Sequence, residues 1–196
     1  MKRRNNHSWI KDRVKEFYFQ KAKKEGFKAR SAYKLIQIDE KFNVIPTTGK
    51  ILDLGCSPGA WLQVIQKKSK ADIYGIDLIN CDISNINFLK TDVKSDEAKT
   101  FLKNLEFDSI LCDIASNTTG DKSADHYKLI QLLSFISDEI VIPSLKANGI
   151  FVCKIFDGPD LNLFIKQMKM HYKKVKQFKP ASSMLESCEK YLIIFK

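Results

Sequence analysis

The sequence predicts an α/β fold in which a mostly parallel sheet carries helices on both faces and ends in an antiparallel hairpin. Three observations lead to this prediction. From residue 50 onward, short apolar runs alternate with longer segments of helical periodicity. The 196 residues suffice for one domain with a sizeable core. The last two strand-like runs are separated by a polar loop with no room for a helix, so they are expected to pair directly.

The elements follow in order along the chain. Apolar residues scattered among lysines predict a basic, helical N-terminal segment, and a second helix is expected from Ser31, with Leu35 and Ile38 facing inward. Five strands are predicted at 50–55, 72–77, 86–90, 108–113 and 149–155. Further helices are predicted at 60–70, 95–104, 124–145 and 159–171. The terminal hairpin is expected from the runs 173–179 and 190–195, which brings the sheet to seven strands.

The positive charge of the chain is unevenly distributed. Of 33 Lys and Arg residues against 23 acids, twelve basic and three acidic residues fall in residues 1–34, so the rest is almost neutral. A basic arm on an ordinary domain predicts a polyanion such as RNA as the partner. The arm's aromatics either stack on bases or, for most of them, pack in the helix core; they are Trp9, Phe17, Tyr18 and Phe19.

A second lysine cluster near the C-terminus contains no acid. Its members are Lys166, Lys169, Lys173, Lys174, Lys176 and Lys179. The cluster either extends the surface that binds the polyanion or only confers solubility.

The cysteines and histidines indicate the redox state of the compartment and whether a metal site is expected. The five cysteines form no Cys-x-x-Cys pair, and Cys112 and Cys153 lie inside strand-like runs, which predicts a reduced intracellular compartment. Cytoplasm, nucleolus and an organelle stay open. No apolar run approaches the roughly 18 residues of a membrane span, so no membrane partner is expected. No metal site is expected, because His7, His126 and His171 lack partners at ligand spacing. We expect a monomer.

Polar residues follow the predicted strands at the edge where ligands of open α/β sheets bind. After the first strand, Gly55 and Gly59 permit close approach of a ligand. Their spacing differs from Gly-x-Gly-x-x-Gly and Pro58 lacks a backbone donor, so a pyrophosphate cradle is disfavoured. Asp77 ends the second strand, 24 residues after Asp53, where an acid can accept hydrogen bonds from both hydroxyls of a ribose.

Three acids around this glycine loop define the expected ligand. Asp92 follows the third strand and can accept a hydrogen bond from an exocyclic amine. Together with Asp53 and Asp77, it suits a ligand that has an adenosine and a cationic centre but no phosphate. S-adenosylmethionine meets that description and NAD does not. Singly, each acid after a strand is more often a helix cap, and only the joint pattern favours the cofactor.

The next two strand ends carry opposite charges. The fourth strand ends in Asp113, and the fifth carries Lys154 within an apolar run. A lysine there is costly to bury without partners. The alternative is that the strand leaves the sheet at this point and the ammonium extends to water.

Five motifs match a known family in order and spacing, from about Lys11 to Lys196. They are Arg30-Ser31-Ala32-Tyr33-Lys34-Leu35, Asp53-Leu54-Gly55 with Pro58-Gly59 and Trp61, Cys112-Asp113-Ile114-Ala115-Ser116-Asn117, Lys154-Ile155-Phe156, and Lys179-Pro180 with Ser182-Ser183, Glu189 and Tyr191. On these motifs the chain resembles the FtsJ-type ribosomal RNA 2′-O-ribose methyltransferases. The resemblance implies a Rossmann-like S-adenosylmethionine-dependent methyltransferase fold. Ala115-Ser116-Asn117 departs from the family's Ala-Pro-Asn, and Ala60 replaces its second loop glycine.

The resemblance also implies site residues. The family's catalytic tetrad falls on Lys34, Asp113, Lys154 and Glu189. Its cofactor contacts fall on Gly59, Trp61, Asp77, Asp92 and Asp113, and the glycine-loop residues Asp53, Gly55, Ser57 and Pro58 complete the predicted binding set. Residues 1–34 then form a basic helical arm of the same domain as the methyltransferase catalytic region, 35–196.

Methyl transfer to a ribose hydroxyl requires aligned reacting atoms and a destination for the hydroxyl proton. We predict that Lys154 lies nearest the 2′-hydroxyl, while Lys34 and Glu189 orient the nucleotide or the lysine. Burial and a second lysine favour the neutral amine that a base requires, whereas Asp113 and Glu189 oppose it. Whether Lys154 takes the proton or mainly steers and stabilises the oxygen stays open.

The predicted activity is methylation of a ribose 2′-hydroxyl, at a uridine of the large-subunit ribosomal RNA, with S-adenosylhomocysteine as product. Transfer-RNA anticodon loops and messenger caps are alternative substrates, and a non-catalytic ribosome-assembly factor is the alternative from another class. Adenine amino-group methylation is disfavoured because no Asp/Asn-Pro-Pro-aromatic motif follows the fourth strand. Cytosine C5 methylation is disfavoured because Cys112 lies within the strand.

Overall fold

Seven strands and the helices between them make up the described part of the chain. The computed structural model describes residues 6–114, 121–158, 160–183 and 187–196. The strands are β1 Lys50–Leu54, β2 Asp72–Asp77, β3 Asn87–Lys90, β4 Phe107–Cys112, β5 Leu145–Phe156, β6 Lys174–Phe178 and β7 Glu189–Phe195. The helices are α1 Asn6–Glu25, α2 Ala32–Phe42, α3 Ala60–Lys68, α4 Asp96–Leu102, α5 Lys122–Ile136, α6 Ile142–Ser144 and α7 Leu161–His171.

The strands form one sheet in the order β3-β2-β1-β4-β5-β7-β6. β1 to β5 pair in parallel, whereas β7 is antiparallel to both β5 and β6. The predicted fold class is therefore confirmed, including the terminal hairpin. The carboxyl ends of the parallel strands meet at one edge of the sheet, which is where the predicted site residues lie.

The segment predicted to be helical at 124–145 is helical from Lys122 to Ser144, but it is not one regular α-helix. A π-helical turn at Ser137–Val141 joins α5 to the short α6, and β5 begins at Leu145 rather than at residue 149. Pro143 lies in α6, just before the chain enters β5. The pairing of β4 with β5 also shifts register between Phe107 and Ser109.

Apolar side chains pack on both faces of the sheet. On one face, helices α4, α5 and α7 pack through Leu102, Leu133 and Phe164. On the other face, α2 and α3 contribute Leu35 and Leu62. Because successive strand residues point to opposite faces, every central strand contributes to both clusters.

The second half of α1 packs against α2. Ala22 is buried, and the Tyr18 ring lies 5.2 Å from the Tyr33 ring. Phe17 and Phe19 are 59% and 54% exposed, so the expectation that most arm aromatics pack in the core is wrong for these two. The Trp9 side chain is outside the described part.

The division into a 1–34 arm and a 35–196 catalytic region stays a prediction. Of the helices described, none combines the length and apolar character needed to cross a bilayer.

Candidate active site

The candidate catalytic side chains share one face of the sheet at its carboxyl edge. In the antiparallel pairing of β5 with β7, Lys154 lies opposite Tyr191 and Phe156 lies opposite Glu189. Residues two apart on a strand point the same way, and so do directly opposed residues on neighbouring strands. Lys154, Tyr191 and Glu189 therefore point toward the face that α2 covers, and α2 carries Lys34 in its first turn.

The four predicted tetrad residues form two ion pairs. The Lys34 Nζ atom lies 2.7 Å and 2.9 Å from the two carboxylate oxygens of Glu189. The Lys154 Nζ atom donates to the Asp113 carbonyl oxygen at 2.7 Å and lies 3.3 Å from its carboxylate. Lys154 is only 6% exposed, so the alternative in which its ammonium extends to water is wrong. The structure thus brings all four together; their catalytic roles stay predictions.

Tyr191 is a further member of this cluster, to which the sequence assigned no role. Its hydroxyl donates to the Asp113 carboxylate at 2.9 Å, and its ring lies 5.8 Å from that of Trp61. Burial raises the pKa of Tyr191 well above its usual value, and the charges of Asp113 and Glu189 raise it further. The phenol therefore remains a proton donor that fixes Asp113. The period-two spacing of Glu189 and Tyr191 was the sequence signal that places them together.

A chain of hydrogen bonds links the arm to Glu189. Ser183 donates its hydroxyl to Glu189 at 3.1 Å. The neighbouring Ser182 donates both its backbone N–H and its hydroxyl to the side-chain oxygen of Gln37, at 3.0 Å and 3.1 Å. The Gln37 amide nitrogen donates to the Tyr18 hydroxyl at 3.0 Å. Sequence reasoning missed Gln37, because its partners are 19 and 145 residues away.

A cavity of about 510 Å³ adjoins Asp113 at the carboxyl edge. Five predicted cofactor residues line it, namely Gly55, Ser57, Asp77, Asp92 and Asp113. The Asp77 carboxylate accepts the backbone N–H groups of Ser57 and Ile79, both at 2.8 Å, which fixes its orientation. Ser95 caps α4, so the helix-cap alternative is wrong for Asp92. A second cavity of about 600 Å³, between α4 and α6, contains none of the predicted site residues.

Four other predicted cofactor residues lie near this cavity without being among its lining residues. Gly59 has φ +105°, and a side chain there would clash with Ile83, so the loop requires glycine. Trp61, in the first turn of α3, is buried and donates its indole N–H to the Ser31 carbonyl at 2.9 Å, which ties α3 to the start of α2. Pro58 precedes them in the loop. Asp53, at the carboxyl end of β1, is completely buried.

Comparison with known proteins agrees with this geometry. The sequence profile of the FtsJ-like methyltransferases matches residues 27–196. The "Ribosomal RNA large subunit methyltransferase E" of Caulobacter vibrioides is 34% identical over 193 residues, which cover 96% of this chain and 85% of the relative. The protein of that name from Rickettsia akari is 38% identical, with coverage of 95% and 86%. The crystal structure of a ribosomal RNA methyltransferase from Plasmodium falciparum superposes with a TM-score of 0.76 at 30% identity, covering 87% of this chain and 98% of that chain.

This chain belongs to the FtsJ-like methyltransferase family. The resemblance in the sequence is therefore confirmed. Of the motifs that carry it, residues 115–117 lie outside the described part of the chain.

In this FtsJ-like methyltransferase, burial raises the pKa of the Cys112 thiol to about 12, which disfavours the thiolate that a cysteine nucleophile needs. Among the described residues, no three His, Cys, Asp or Glu side chains are grouped as metal ligands would be.

Proposed function

We propose that this FtsJ-like methyltransferase transfers a methyl group from S-adenosylmethionine to a ribose 2′-hydroxyl of large-subunit ribosomal RNA, at a uridine. The observation that carries the proposal is the presence of two partly buried ion pairs, Lys34 with Glu189 and Lys154 with Asp113, the last of which lines the 510 Å³ cavity. The names of the relatives from Caulobacter and Rickettsia support the choice of ribosomal RNA.

The residues that line the cavity fit this cofactor. Three carboxylates line it, those of Asp77, Asp92 and Asp113, and among the described residues that line it Lys94 is the one basic residue. Such a donor set suits a cationic ligand without phosphates. Asp77 retains unused lone pairs for the ribose hydroxyls, because each carboxylate oxygen can accept two hydrogen bonds. When bound, the cofactor supplies a methyl group activated by its sulfonium, whose transfer leaves S-adenosylhomocysteine and releases the hydroxyl proton.

The chain's own contribution is to hold the hydroxyl in place. An ammonium group has three N–H donors. In Lys154 two of them face the carbonyl and carboxylate oxygens of Asp113, so one remains for the 2′-oxygen. We therefore assign Lys154 to holding the oxygen and stabilising the negative charge that develops on it, while the Lys34–Glu189 pair orients the nucleotide. Orientation of this kind can lower a barrier by about 7–11 kcal/mol.

The proposal is tested by methyl transfer to large ribosomal subunits from cells that lack the protein. Labelled S-adenosylmethionine and mass spectrometry of the nucleosides should reveal one 2′-O-methyluridine. Lys154→Ala should lower kcat by about a hundredfold or more. Lys70→Ala is the control, because Lys70 is exposed and lies just before β2, at the opposite edge of the sheet.

Other outcomes would contradict the proposal in different ways. A Lys154→Ala variant as fast as the parent would remove the lysine from its assigned role. A methylated base would contradict ribose methylation. Methylation of transfer RNA or capped RNA, with no transfer to the large subunit, would replace the substrate. If isothermal titration shows no binding of S-adenosylmethionine, only an RNA-binding or assembly role is left.

A further inference from the structure

We propose that lysines on edge strand β6 and on α7 form a second RNA-binding surface, separate from the methyl-transfer site, which holds the phosphate backbone of the substrate. We call it the edge surface, and its members are Lys166, Lys169, Lys173, Lys174 and Lys176. All five are exposed. The inference rests on the proposed function, because it takes the substrate to be RNA.

The charge distribution sets this surface apart from the rest of the domain. Residues 161–183 contain six lysines and neither Asp nor Glu. Residues 35–160 contain thirteen basic residues against eighteen acids. The positive excess outside the arm is therefore concentrated in α7, β6 and the turns next to them. A concentrated charge of one sign attracts a polyanion over a distance, whereas solubility alone does not require it.

Among the residues that the structure describes, the lysines of the edge surface have no acidic partners. Some lysines elsewhere do pair with acids, such as Lys99 with Glu139 at 3.4 Å and Lys146 with Asp108 at 2.9 Å. Within the described ranges, no edge-surface lysine has a carboxylate oxygen within 4.0 Å of its Nζ atom. Two of these lysines instead contact neutral groups.

Two interactions illustrate those neutral neighbours. Lys173 donates to the Asn148 side-chain oxygen at 3.2 Å, and the Lys174 ammonium lies 5.4 Å from the centre of the Phe195 ring. Neither interaction neutralises the charge. The mutual repulsion of these cations is left uncompensated, and phosphate groups would relieve it.

The edge surface is continuous with the candidate active site. Phe178, the last residue of β6, pairs with Tyr191, whose hydroxyl binds Asp113. From that point the five residues of β6 extend for about 17 Å, at roughly 3.3 Å per residue. Lys174 and Lys176 project to one side of the strand, because they are two residues apart. An RNA whose target nucleotide reaches Lys154 can therefore lay its flanking backbone along this edge.

A simpler explanation covers only part of the surface. Lysines on edge strands prevent pairing with other sheets, and that accounts for Lys174 and Lys176. It does not account for Lys166 and Lys169, which lie on α7. That helix also exposes Leu163 and Met170, so an anionic lipid surface is the other partner that this chemistry admits. Continuity with the methyl-transfer site favours RNA.

Charge reversal on the edge surface tests the proposal. One variant combines Lys174→Glu with Lys176→Glu, and another combines Lys166→Glu with Lys169→Glu. The control combines Lys70→Glu with Lys103→Glu, which makes the same change in charge at two exposed lysines just after α3 and α4. Thermal unfolding of every variant shows whether it is folded. Binding of a large-subunit RNA fragment is measured by fluorescence anisotropy at several salt concentrations.

Each edge variant should bind RNA about tenfold or more weakly than the parent. The slope of log affinity against log salt should become shallower by about 0.7 to 0.9 for each phosphate that the variant no longer binds. KM for the RNA should rise while kcat at saturating RNA stays at the parental value, since the methyl-transfer residues are untouched. The control pair should keep the parental slope.

Three results would overturn the proposal. An equal loss of affinity in the control pair would mean that only net charge matters. Parental binding by both edge variants would leave the lysines with edge protection alone. Loss of binding to phosphatidylserine vesicles, with RNA binding intact, would identify a lipid surface. A different result would separate the two proposals. If the edge variants lose RNA affinity as expected but the parent protein transfers no methyl group, the proposed function is contradicted and the edge surface is supported.

Discussion

Asp53 is a buried acid with no partner to stabilise its charge. It is the second-last residue of the central strand β1, it is fully buried, and neither carboxylate oxygen has a hydrogen-bond partner among the described residues. Burial raises its pKa well above the usual value, and the charges of Asp113 and Asp77 raise it further. The folded protein therefore favours the protonated, neutral carboxyl group. This state requires the unfolded chain to take up a proton on folding at neutral pH.

The proton uptake predicts a pH-dependent effect of Asp53→Asn. The contribution of Asp53 to the free energy of unfolding is fully present below the pKa that its carboxyl group has in the unfolded chain, near 4. This contribution falls as the pH rises toward the pKa of the same group in the folded protein. Asn keeps the shape and does not titrate. The free energy of unfolding of the parent minus that of the variant should therefore fall by up to about 1.4 kcal/mol per pH unit over that window.

Urea denaturation between pH 5 and pH 8 measures this difference. Asp72→Asn is the matched control, because Asp72 is exposed at the start of β2. A parent-to-variant difference that stays constant with pH for Asp53→Asn would mean that the carboxyl group is ionised in the folded protein.

The sequence located the site residues better than it located their partners. Strand ends and family motifs indicated Lys34, Asp113, Lys154 and Glu189, because each lies in a recognisable local pattern. Which lysine pairs with which carboxylate was not predicted. In the structure each lysine has its own carboxylate, and the Lys34–Glu189 pair joins residues 155 positions apart. Local patterns do not specify such long-range pairs.

At the level of elements, predictions succeeded where apolar runs have clear boundaries. β2 matches its predicted range of 72–77, and the predicted hairpin forms at the edge of the sheet. The helix predicted at 124–145 forms, but the sequence did not show the π-helical turn within it. Apolar residues continue with helical spacing beyond Ile136, so periodicity does not reveal where that turn begins. The start of β5 was also missed, because it lies at Leu145 rather than at residue 149.

The hydrogen bonds between elements give Gln37 a positioning role that can be tested. Its amide joins α1, through Tyr18, to the Ser182–Ser183 turn that binds Glu189. Gln37→Leu removes the hydrogen bonds to Tyr18 and Ser182. We expect kcat with saturating RNA to fall about tenfold, the equivalent of about 1.4 kcal/mol, because Glu189 loses its support. Cofactor affinity, measured by titration calorimetry, should stay at the parental value.

Two further variants separate positioning from general structural damage. Gln37→Glu keeps acceptors for Ser182 and can also accept a hydrogen bond from the Tyr18 hydroxyl, so it should restore most of the activity that Gln37→Leu removes. Tyr18→Phe removes only the hydrogen bond to the arm and should cost less than Gln37→Leu. If Gln37→Glu is as slow as Gln37→Leu, the hydrogen bonds are not what supports Glu189.

On the scale of the whole molecule, two positive regions flank the candidate active site. The arm packs on the α2 and α3 face through Ala22, whereas α7 packs on the opposite face through Phe164. β6 lies at the sheet edge between the two faces. An RNA that reaches both regions must pass around this edge. The arm and the edge surface would then bind different phosphates of the same RNA.

Separate binding regions of this kind predict additive effects. The arm variant combines Lys15→Gln, Lys23→Gln and Lys24→Gln at exposed positions, and the edge variant combines Lys174→Gln with Lys176→Gln. The reductions in RNA-binding free energy should add in the combined variant to within about 0.5 kcal/mol, because the sites share no partner. The reductions in salt slope, measured by anisotropy, should add as well. The contrary result is a combined variant with the same RNA affinity as whichever of the arm and edge variants binds RNA more weakly. That result would mean that the RNA uses one region at a time and does not pass around the sheet edge.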